Sequence, residues 1–178
     1  MSEIMTHSKK MFDPLHPRAE LIDIEDIGHA LAMLCRANGH FQSFYSVCQH
    51  SINCMQEAAA RGYSKRVQLG CLLHDASEAY LSDVTRPVKA ELPQYKLIEE
   101  PLQEVIWNKW LDTPLTEQER AEIFGIDDDI LAHEFINLMG EAIFDVTPAL
   151  KSQPQFAFIG FAECTQAFLH LFRALTAI

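Results

Sequence analysis

Hydrophobic residues recur at three- and four-residue steps through most of the chain. In the first such segment, Ile27, Ala30, Leu31 and Leu34 follow an acidic patch, and carboxylates suit the N-terminus of a helix. No stretch shows sustained two-residue alternation with β-branched residues, so the pattern predicts an all-α fold. The predicted helices run from the patch at 23–26 to about 36, then over 47–61, 65–80, 99–111, 127–139 and 156–176, with a further element that Thr116 caps and Gly125 interrupts.

The length of the chain predicts one domain. Its 178 residues are enough for a sizeable single core. We find no internal repeat and no domain boundary, so residues 1–178 are expected to form a single domain. Residues 1–20 are expected to be a loose leader, because Pro14 and Pro17 disfavour a regular element there.

Composition narrows the class of partner and the compartment. The formal net charge of −11 argues against a broad contact with a nucleic acid polymer, although a bound cation would let a small anion bind. The start of the chain lacks the apolar core of a signal peptide, and no run approaches the roughly 18 apolar residues of a membrane span. We therefore expect a cytoplasmic protein without a membrane partner. The five cysteines show no CxxC spacing, which favours buried thiols in a reducing compartment.

An adjacent histidine and aspartate, His74-Asp75, form the first candidate for chemistry. Glu78 follows three residues after the aspartate, and Asp83 lies five residues beyond Glu78. An imidazole beside a carboxylate suits a divalent cation. The alternative is a core histidine with a hydrogen-bond partner, but an unpaired buried carboxylate is costly, and a metal ion is one of the few groups that offsets this cost.

Further ligands must come from other helices. If the helices over 47–61 and 65–80 form an antiparallel hairpin about residue 63, position 50 opposes about position 76, so His50 lies close to the pair. Asp127, Asp128 and Asp129 open a later helix. They suit the helix dipole, and by spacing alone any of them could be a further ligand.

The order His50, His74-Asp75 and a distant aspartate resembles the H…HD…D signature of the HD-domain phosphohydrolase superfamily. Residues 74–89 are similar to the corresponding segment of bacterial 5′-deoxynucleotidases. Residues 12–18 with 22–27, and residues 45–51, also resemble small HD hydrolases, many of them from phage and bacteria, and residues 126–127 with 131–139 resemble the last motif of the family. The resemblance covers roughly residues 12–140.

This resemblance implies a compact helical HD bundle with a divalent metal site in its core. The metal ligands would be His50, His74, Asp75 and Asp127, and the ion would be Co²⁺, Mn²⁺, Mg²⁺, Zn²⁺ or Fe²⁺. Glu78 would act as general base toward the attacking water, or would help to bind a second metal ion.

The resemblance also implies contacts with a nucleotide. Arg36 lies close to where the deoxynucleotidases place an arginine that holds the nucleotide, and Asp83 matches the residue that contacts the sugar 3′-hydroxyl. Ala37 stands where those enzymes have tryptophan, so aromatic contact would come from Phe41, Phe44 or Tyr45 instead. The candidate substrate-binding residues are Arg36, Asp83, Lys89 and His40, with Arg86 beside Lys89 as a further phosphate contact.

From the resemblance we expect a metal-dependent phosphohydrolase that acts on a small nucleotide, a deoxynucleoside monophosphate or triphosphate such as dATP. Two alternatives stay open. One is a non-catalytic HD module that binds a nucleotide as a sensor, and the other is a hydrolase of a signalling nucleotide such as a 3′-diphosphate. The helix over 156–176 has more apolar surface than one packing face requires, which predicts a homodimer.

Overall fold

Side-chain caps mark where four of the helices begin. Asp23, Ser46, Ser64 and Thr116 each accept a hydrogen bond from a backbone N–H two or three residues further on, which satisfies donors that a first helical turn leaves free. The computed structural model describes residues 3–177, and it confirms a predominantly helical fold over them. The helices are α1 (Ile24–Met33), α2 (Val47–Ala60), α3 (Lys65–Leu73), α4 (Glu78–Leu81), α5 (Arg86–Ala90), α6 (Pro93–Trp110), α7 (Glu117–Met139) and α8 (Phe161–Thr176).

The leader is more ordered than the sequence predicts. Strand β1 (Ile4–Met5) pairs antiparallel with β2 (Met11–Phe12), and the two prolines follow this hairpin rather than interrupting it. Phe12 is buried, and its ring centroid lies 4.3 Å from that of Tyr80. Ser8 donates to the Asp26 carboxylate from its backbone N–H at 2.6 Å and from its hydroxyl at 2.8 Å. These contacts attach residues 4–12 to α1 and α4, so the expectation of a loose leader is wrong there.

A glycine lets α3 approach α7 closely. Helices α2 and α3 pack against each other, and α7 contacts both of them. A Cβ atom on Gly70 of α3 would overlap the Cδ1 atom of Ile123 on α7, so a larger residue there would require the Ile123 side chain to move. The close approach brings the C-terminal end of α3 near Asp127, one turn beyond Ile123.

Helix α7 runs without a break through Gly125, where the sequence predicts an interruption. A glycine inside a helix costs only about 1 kcal/mol relative to alanine. Ile123, Ile126 and Ile130 are buried on either side of it, and burying one such side chain contributes roughly 1.5–3 kcal/mol. The apolar face therefore outweighs the glycine and gives one helix of 23 residues.

Two other helices begin elsewhere than predicted. Helix α6 begins at Pro93 instead of residue 99, because proline is well tolerated in the first turn. Helix α8 begins at Phe161 instead of residue 156, because side chains of α2 hold the preceding segment extended. The Gln49 amide donates to the Gln155 carbonyl at 2.9 Å and to the Ala157 carbonyl at 2.8 Å.

The longest helices are also polar. Helix α7 carries the three aspartates at 127–129 and four glutamates, and α6 carries three glutamates and two lysines. Within residues 3–177, no helix combines the length and the apolar character that a membrane crossing needs.

Candidate metal centre

The pair His74-Asp75 lies where α3 loosens into a turn. Helix α3 ends at Leu73 instead of continuing to residue 80, and α4 begins at Glu78. The Gln103 side chain satisfies the interrupted backbone, since it accepts from the Ser77 N–H at 3.0 Å and donates to the Leu73 carbonyl at 2.7 Å. The two side chains lie close together at this helix end, with His74 Nε2 3.2 Å from Asp75 Oδ2.

His50 reaches this pair from α2, as the predicted hairpin requires. Its Nε2 atom lies 3.1 Å from His74 Nε2. The Nδ1 atom of each histidine has an acceptor of its own. His50 Nδ1 contacts Glu134 Oε1 at 2.5 Å, and His74 Nδ1 contacts the Cys71 carbonyl at 2.7 Å. These partners assign the proton of each neutral imidazole to Nδ1 and leave the Nε2 lone pair free to bind a metal ion.

Two carboxylates complete a cluster around the two Nε2 atoms. Asp127 Oδ1 lies 3.0 Å from His50 Nε2 and 3.7 Å from His74 Nε2. Asp75 Oδ2 lies 3.7 Å from His50 Nε2. The structure thus brings together His50, His74, Asp75 and Asp127, the four residues named from the sequence.

A cysteine lies beside the same histidines. Donor atoms of His50, Cys54 and His74 all lie within 4.8 Å of one another, and this buried group could hold a metal ion. The Cys54 sulfur is 3.5 Å from His50 Nε2 and 3.9 Å from His50 Nδ1. Nearly equal distances to both nitrogens place the sulfur beside the ring rather than along the Nε2 lone pair. Burial also raises the pKa of the Cys54 thiol well above its usual range, which favours a neutral thiol.

The electrostatics of the cluster favour a positive charge at its centre. Burial by itself would lower the pKa of His74, but Asp75 and Asp127 outweigh burial and raise that pKa well above its usual value. Burial would raise the pKa of Asp127, yet hydrogen bonds from the two imidazoles hold it well below its usual range. Protonated imidazoles or a bound cation would satisfy the same carboxylates.

Arg36 joins the cluster through a buried ion pair. Helix α1 ends at Met33, three residues earlier than predicted, and the chain then bridges Cys35 to Ser46. Arg36 is placed there, with its Nε atom 3.2 Å from Glu134 Oε2 and its Nη1 atom 3.2 Å from Asp75 Oδ2. The guanidinium therefore touches both a carboxylate of the cluster and the acceptor that orients His50.

Glu78 is buried beside the cluster and is incompletely paired. Among residues 3–177, its Oε2 atom has no hydrogen-bond partner, and its Oε1 atom lies 3.7 Å from Lys89 Nζ. Burial, followed by the charges of Asp75 and Asp83, raises the pKa of Glu78 well above its usual value. An uncommitted carboxylate oxygen with a raised pKa can accept a hydrogen bond from a water molecule or take up its proton.

A cavity of about 1030 Å³ opens over the cluster. Asp83 and Lys89 line it, and Lys89 Nζ also contacts Glu99 at 2.6 Å. Arg86 stands at the cavity surface and binds the free oxygen of Asp127 at 2.6 Å, together with Asp128. His40 is exposed at the end of the turn after Arg36 and does not line the cavity. The structure therefore gives His40 no place among the cavity residues, in contrast to the expectation from the sequence.

Only part of the expected aromatic contact is present. Phe41 lines the cavity, whereas Phe44 and Tyr45 do not. Tyr45 is buried, and its hydroxyl accepts from Asn53 at 2.8 Å. Phe135 of α7 lines the cavity instead, and the sequence reasoning did not select it.

Two functional residues escaped the sequence reasoning as members of the site. Glu134 orients His50, and Gln103 holds the turn that carries His74-Asp75. Glu134 lies seven residues after Asp127, a spacing that places both on one helix face, so this signal was available. No local pattern marks Gln103, because its partners lie about 30 residues earlier in the chain.

Comparison with known proteins gives relatives without a described activity. No protein-family model matches the chain. The chain is 33% identical over 160 residues to the uncharacterized protein YfdR of Escherichia coli K12. The aligned residues make up 83% of this chain and 86% of YfdR. The chain is 42% identical over 90 residues to an uncharacterized protein of Rhodobacter capsulatus. The aligned residues make up 48% of this chain and 45% of that relative.

Proposed function

We propose that this chain, which belongs to the same family as YfdR of Escherichia coli, is a metal-dependent phosphohydrolase of the HD-domain type. Its substrate is a small nucleotide, a deoxynucleoside monophosphate or triphosphate. One observation carries the proposal: donor atoms of His50, His74, Asp75 and Asp127 converge at the wall of a large cavity.

The spacing of the four donors fits a shared ion. Ligand atoms about 2.0–2.2 Å from one metal ion stand roughly 3–3.5 Å from each other, and the five pairs that include an imidazole Nε2 lie 3.0–3.7 Å apart. Two nitrogens and two carboxylates accept Co²⁺, Mn²⁺, Mg²⁺, Zn²⁺ or Fe²⁺. Cys54 lies beside this set and is not needed to complete it.

The charges of the cavity support metal dependence. Eight carboxylates line it, namely Asp75, Glu78, Asp83, Glu99, Glu100, Glu104, Asp127 and Asp128, against the four cations Arg36, Arg86, Lys89 and Arg120. An anionic phosphate is repelled by such a lining unless a cation is added. A bound divalent ion supplies that charge, lowers the pKa of a coordinated water and draws charge from phosphoryl oxygens. We therefore expect substrate binding, and not turnover alone, to require metal.

The chain's own residues supply positioning and proton transfer. Arg36, Arg86 and Lys89 face the cavity near the cluster and can bind phosphate oxygens. Glu78 holds its unpaired oxygen beside the cluster, where it can orient a water molecule and accept its proton. Asp83 lines the same cavity and is placed by Ser82, whose φ of 78° turns the chain sharply after α4. We assign to Asp83 the contact with a sugar hydroxyl.

A substrate panel tests this function. Release of phosphate, pyrophosphate and triphosphate is measured for nucleoside mono-, di- and triphosphates and for 3′-diphosphates, with Mn²⁺, Co²⁺, Mg²⁺ or EDTA. The proposal predicts metal-dependent release from a deoxynucleotide. Release from a 3′-diphosphate alone would indicate a signalling-nucleotide hydrolase. Metal binding without any release would indicate a sensor module.

A homodimer stays a prediction of the same proposal. Phe168 and Phe172 of α8 are buried within the chain, whereas Phe158 and Phe161 stay exposed. Light scattering at working concentration should give twice the chain mass of 20.2 kDa, and a mass of one chain would contradict the prediction.

A further inference from the structure

The cavity has two chemically different ends on either side of Asp127. Along α7, Arg120 and Phe124 precede Asp127, while Leu131 and Phe135 follow it, and all of them line the cavity. Six apolar side chains also line the cavity, Phe41 in ring contact with Phe135, and we call them the apolar lobe: Ala37, Phe41, Leu131, Phe135, Ile143 and Phe144.

The end of the cavity at Arg120 and Phe124 is occupied by contacts between side chains of the protein itself. Trp107 is buried, and the Arg120 guanidinium lies 5.1 Å from its ring centroid. Phe124 approaches the same indole at 6.4 Å, edge to face. Arg120 is in turn paired with Glu104 at 2.8 Å. The indole face therefore has no room for a planar ligand.

The apolar lobe offers an open aromatic face. Phe135 is only partly buried, and its described ring contact is with Phe41, edge to face at 5.6 Å and 81°. An edge-to-face contact holds the Phe135 ring in place and leaves ring surface toward the cavity. Aromatic faces of this kind stack on nucleobases.

The lobe also lies at a suitable distance from the cluster. Leu131 and Phe135 follow Asp127 by about 6 and 12 Å along the helix axis, so a sugar ring fits between a phosphate at the cluster and a base beside Phe135. Arg36, at the boundary, has its Nε and Nη1 atoms committed to Glu134 and Asp75. The six side chains of the lobe are all apolar, so they recognise a ligand by shape and apolar area rather than by hydrogen bonds.

We propose that the apolar lobe binds the base of the nucleotide by stacking on Phe135, and that it selects purines over pyrimidines. This inference rests on the proposed function for the position of the phosphate. A two-ring base buries more surface against Phe135 and Leu131 than a one-ring base does, and the stabilisation grows with the apolar area removed from water.

Steady-state kinetics of matched variants test the inference. Phe135→Ala and Phe124→Ala remove the same side chain from opposite ends of the cavity, and Phe161→Ala removes an exposed one from α8. Substrates are purine and pyrimidine deoxynucleotides and the base-free ester deoxyribose 5-phosphate. We expect Phe135→Ala to raise KM for purine nucleotides about tenfold, with kcat changed less and the base-free ester unaffected. Phe135→Leu, which keeps an apolar side chain without the ring, should lie between wild type and Phe135→Ala, and it carries the test if the alanine variant does not fold.

Three outcomes would overturn the inference. The first is a KM effect in Phe124→Ala and not in Phe135→Ala. The second is an equal loss on all substrates, including the base-free ester. The third is a wild-type protein with no preference for purines. Calorimetric titration of deoxyadenosine and deoxycytidine into wild type and the Phe135 variants gives a readout without phosphate chemistry. If wild type releases phosphate from no ester, the proposed function fails, while tighter binding of deoxyadenosine that is weakened by Phe135→Ala would still support the lobe.

Discussion

Two buried glutamates show how the same side chain serves structure in one region and the candidate site in another. Glu57 of α2 and Glu134 of α7 are both inaccessible to solvent. Glu57 accepts from the backbone N–H groups of Lys151 at 3.0 Å and Ser152 at 2.8 Å, from the Ser152 hydroxyl at 2.6 Å and from Arg61 at 2.7 Å. Every donor comes from within the chain, so this region is complete by itself.

Glu134 belongs to a region that is not complete by itself. It contacts His50 and Arg36, and behind them the oxygens of Asp75 and Asp127 face two imidazole nitrogens. The Glu78 Oε2 atom has no partner among residues 3–177. Buried carboxylates normally carry their own donors, so the unpaired Glu78 oxygen beside the imidazoles, within residues 3–177, indicates that this region takes a ligand. A mutation at Glu57 should therefore lower the stability of the fold and leave metal binding unchanged. A mutation in the cluster should remove metal and leave the fold intact.

The largest expected effect is at the cluster. Asp127→Asn should lower kcat/KM by about a thousandfold, because several kcal/mol of charge stabilisation depend on the ion. It should also remove bound metal while leaving the fold intact, as measured by elemental analysis and circular dichroism. Asp129→Asn, on the same helix and outside the cavity lining, is the control and should keep metal and turnover. Wild-type turnover in metal-free Asp127→Asn would refute the site.

The next effect is on stability and belongs to the other region. Glu57→Ala leaves the Ser152 hydroxyl and two backbone N–H groups without their acceptor, while Arg61 keeps Asp129 at 2.7 Å. Leaving a buried donor unsatisfied costs about 1–3 kcal/mol. Urea unfolding should show this loss, while metal stoichiometry per folded molecule stays at the wild-type value. A variant with unchanged stability would mean that the Glu57 contacts contribute nothing net.

Glu134→Gln should weaken metal binding without removing it. Partners that orient a ligating histidine typically change metal affinity by about 10–100-fold. The glutamine side chain would keep the shape of the glutamate but lose the negative charge that balances Arg36. The affinity is measured by competition with a chelating dye. An unchanged affinity would show that Glu134 serves only to bury Arg36.

The pH dependence of stability should have opposite signs in the two regions. Burial would raise the pKa of Glu57, but hydrogen bonds from Ser152, Lys151 and Arg61 lower it below the ordinary 4.5. Its contribution to the free energy of unfolding is therefore present above about pH 4.5 and is lost as pH falls through the lowered pKa. For Glu78, burial and neighbouring carboxylates raise the pKa, so metal-free protein should lose stability as pH rises from about 4.5 toward the raised pKa.

Urea unfolding of metal-free Glu57→Gln and Glu78→Gln across pH separates these slopes. Glu57→Gln should reduce the fall in the free energy of unfolding at acid pH. Glu78→Gln should reduce the fall in the same free energy as pH rises above about 4.5. If both variants change the same limb of the profile, the contrast between the two glutamates is wrong.

The smallest effect is expected at Cys54. Its sulfur lies beside the His50 ring rather than along the Nε2 lone pair, so Cys54→Ser should change metal affinity less than about twofold, well below the loss for a residue that orients a ligand. A loss comparable to that of Asp127→Asn would instead make Cys54 a ligand. The Co²⁺ form distinguishes the two cases, since a bound thiolate would add a charge-transfer band in the near ultraviolet.

The sequence predicts the helical class because that class depends on the short-range helical period, whereas the set His50, His74, Asp75 and Asp127 depends on the family resemblance, since spacing alone leaves Asp127, Asp128 and Asp129 open. The helical period gives α2 almost to the residue, and the hairpin between α2 and α3 places His50 opposite His74. Helix boundaries fail where tertiary contacts decide them. Gln103, from α6, stabilises the turn that divides the predicted helix over 65–80.

The contacts among the residues that support the cluster are harder to predict than the residues themselves. Arg36 and Glu134 lie 98 residues apart and meet only in the folded chain. His40 follows a glycine in a polar turn and looks accessible to substrate in sequence, but its exposed side chain does not line the cavity, although that of the next residue, Phe41, does. Phe135 of α7 lines the cavity, and no local sequence pattern predicts that position.

Metal dependence of phosphate release is measured by titrating Mn²⁺ into metal-free protein, with bound metal and released phosphate followed in the same sample. The substrate is the deoxynucleotide that the panel identifies. We expect release to be absent without metal and to rise in step with occupancy of a site that Asp127→Asn removes. Full release in EDTA, or a filled site without release from any nucleotide, would contradict this expectation.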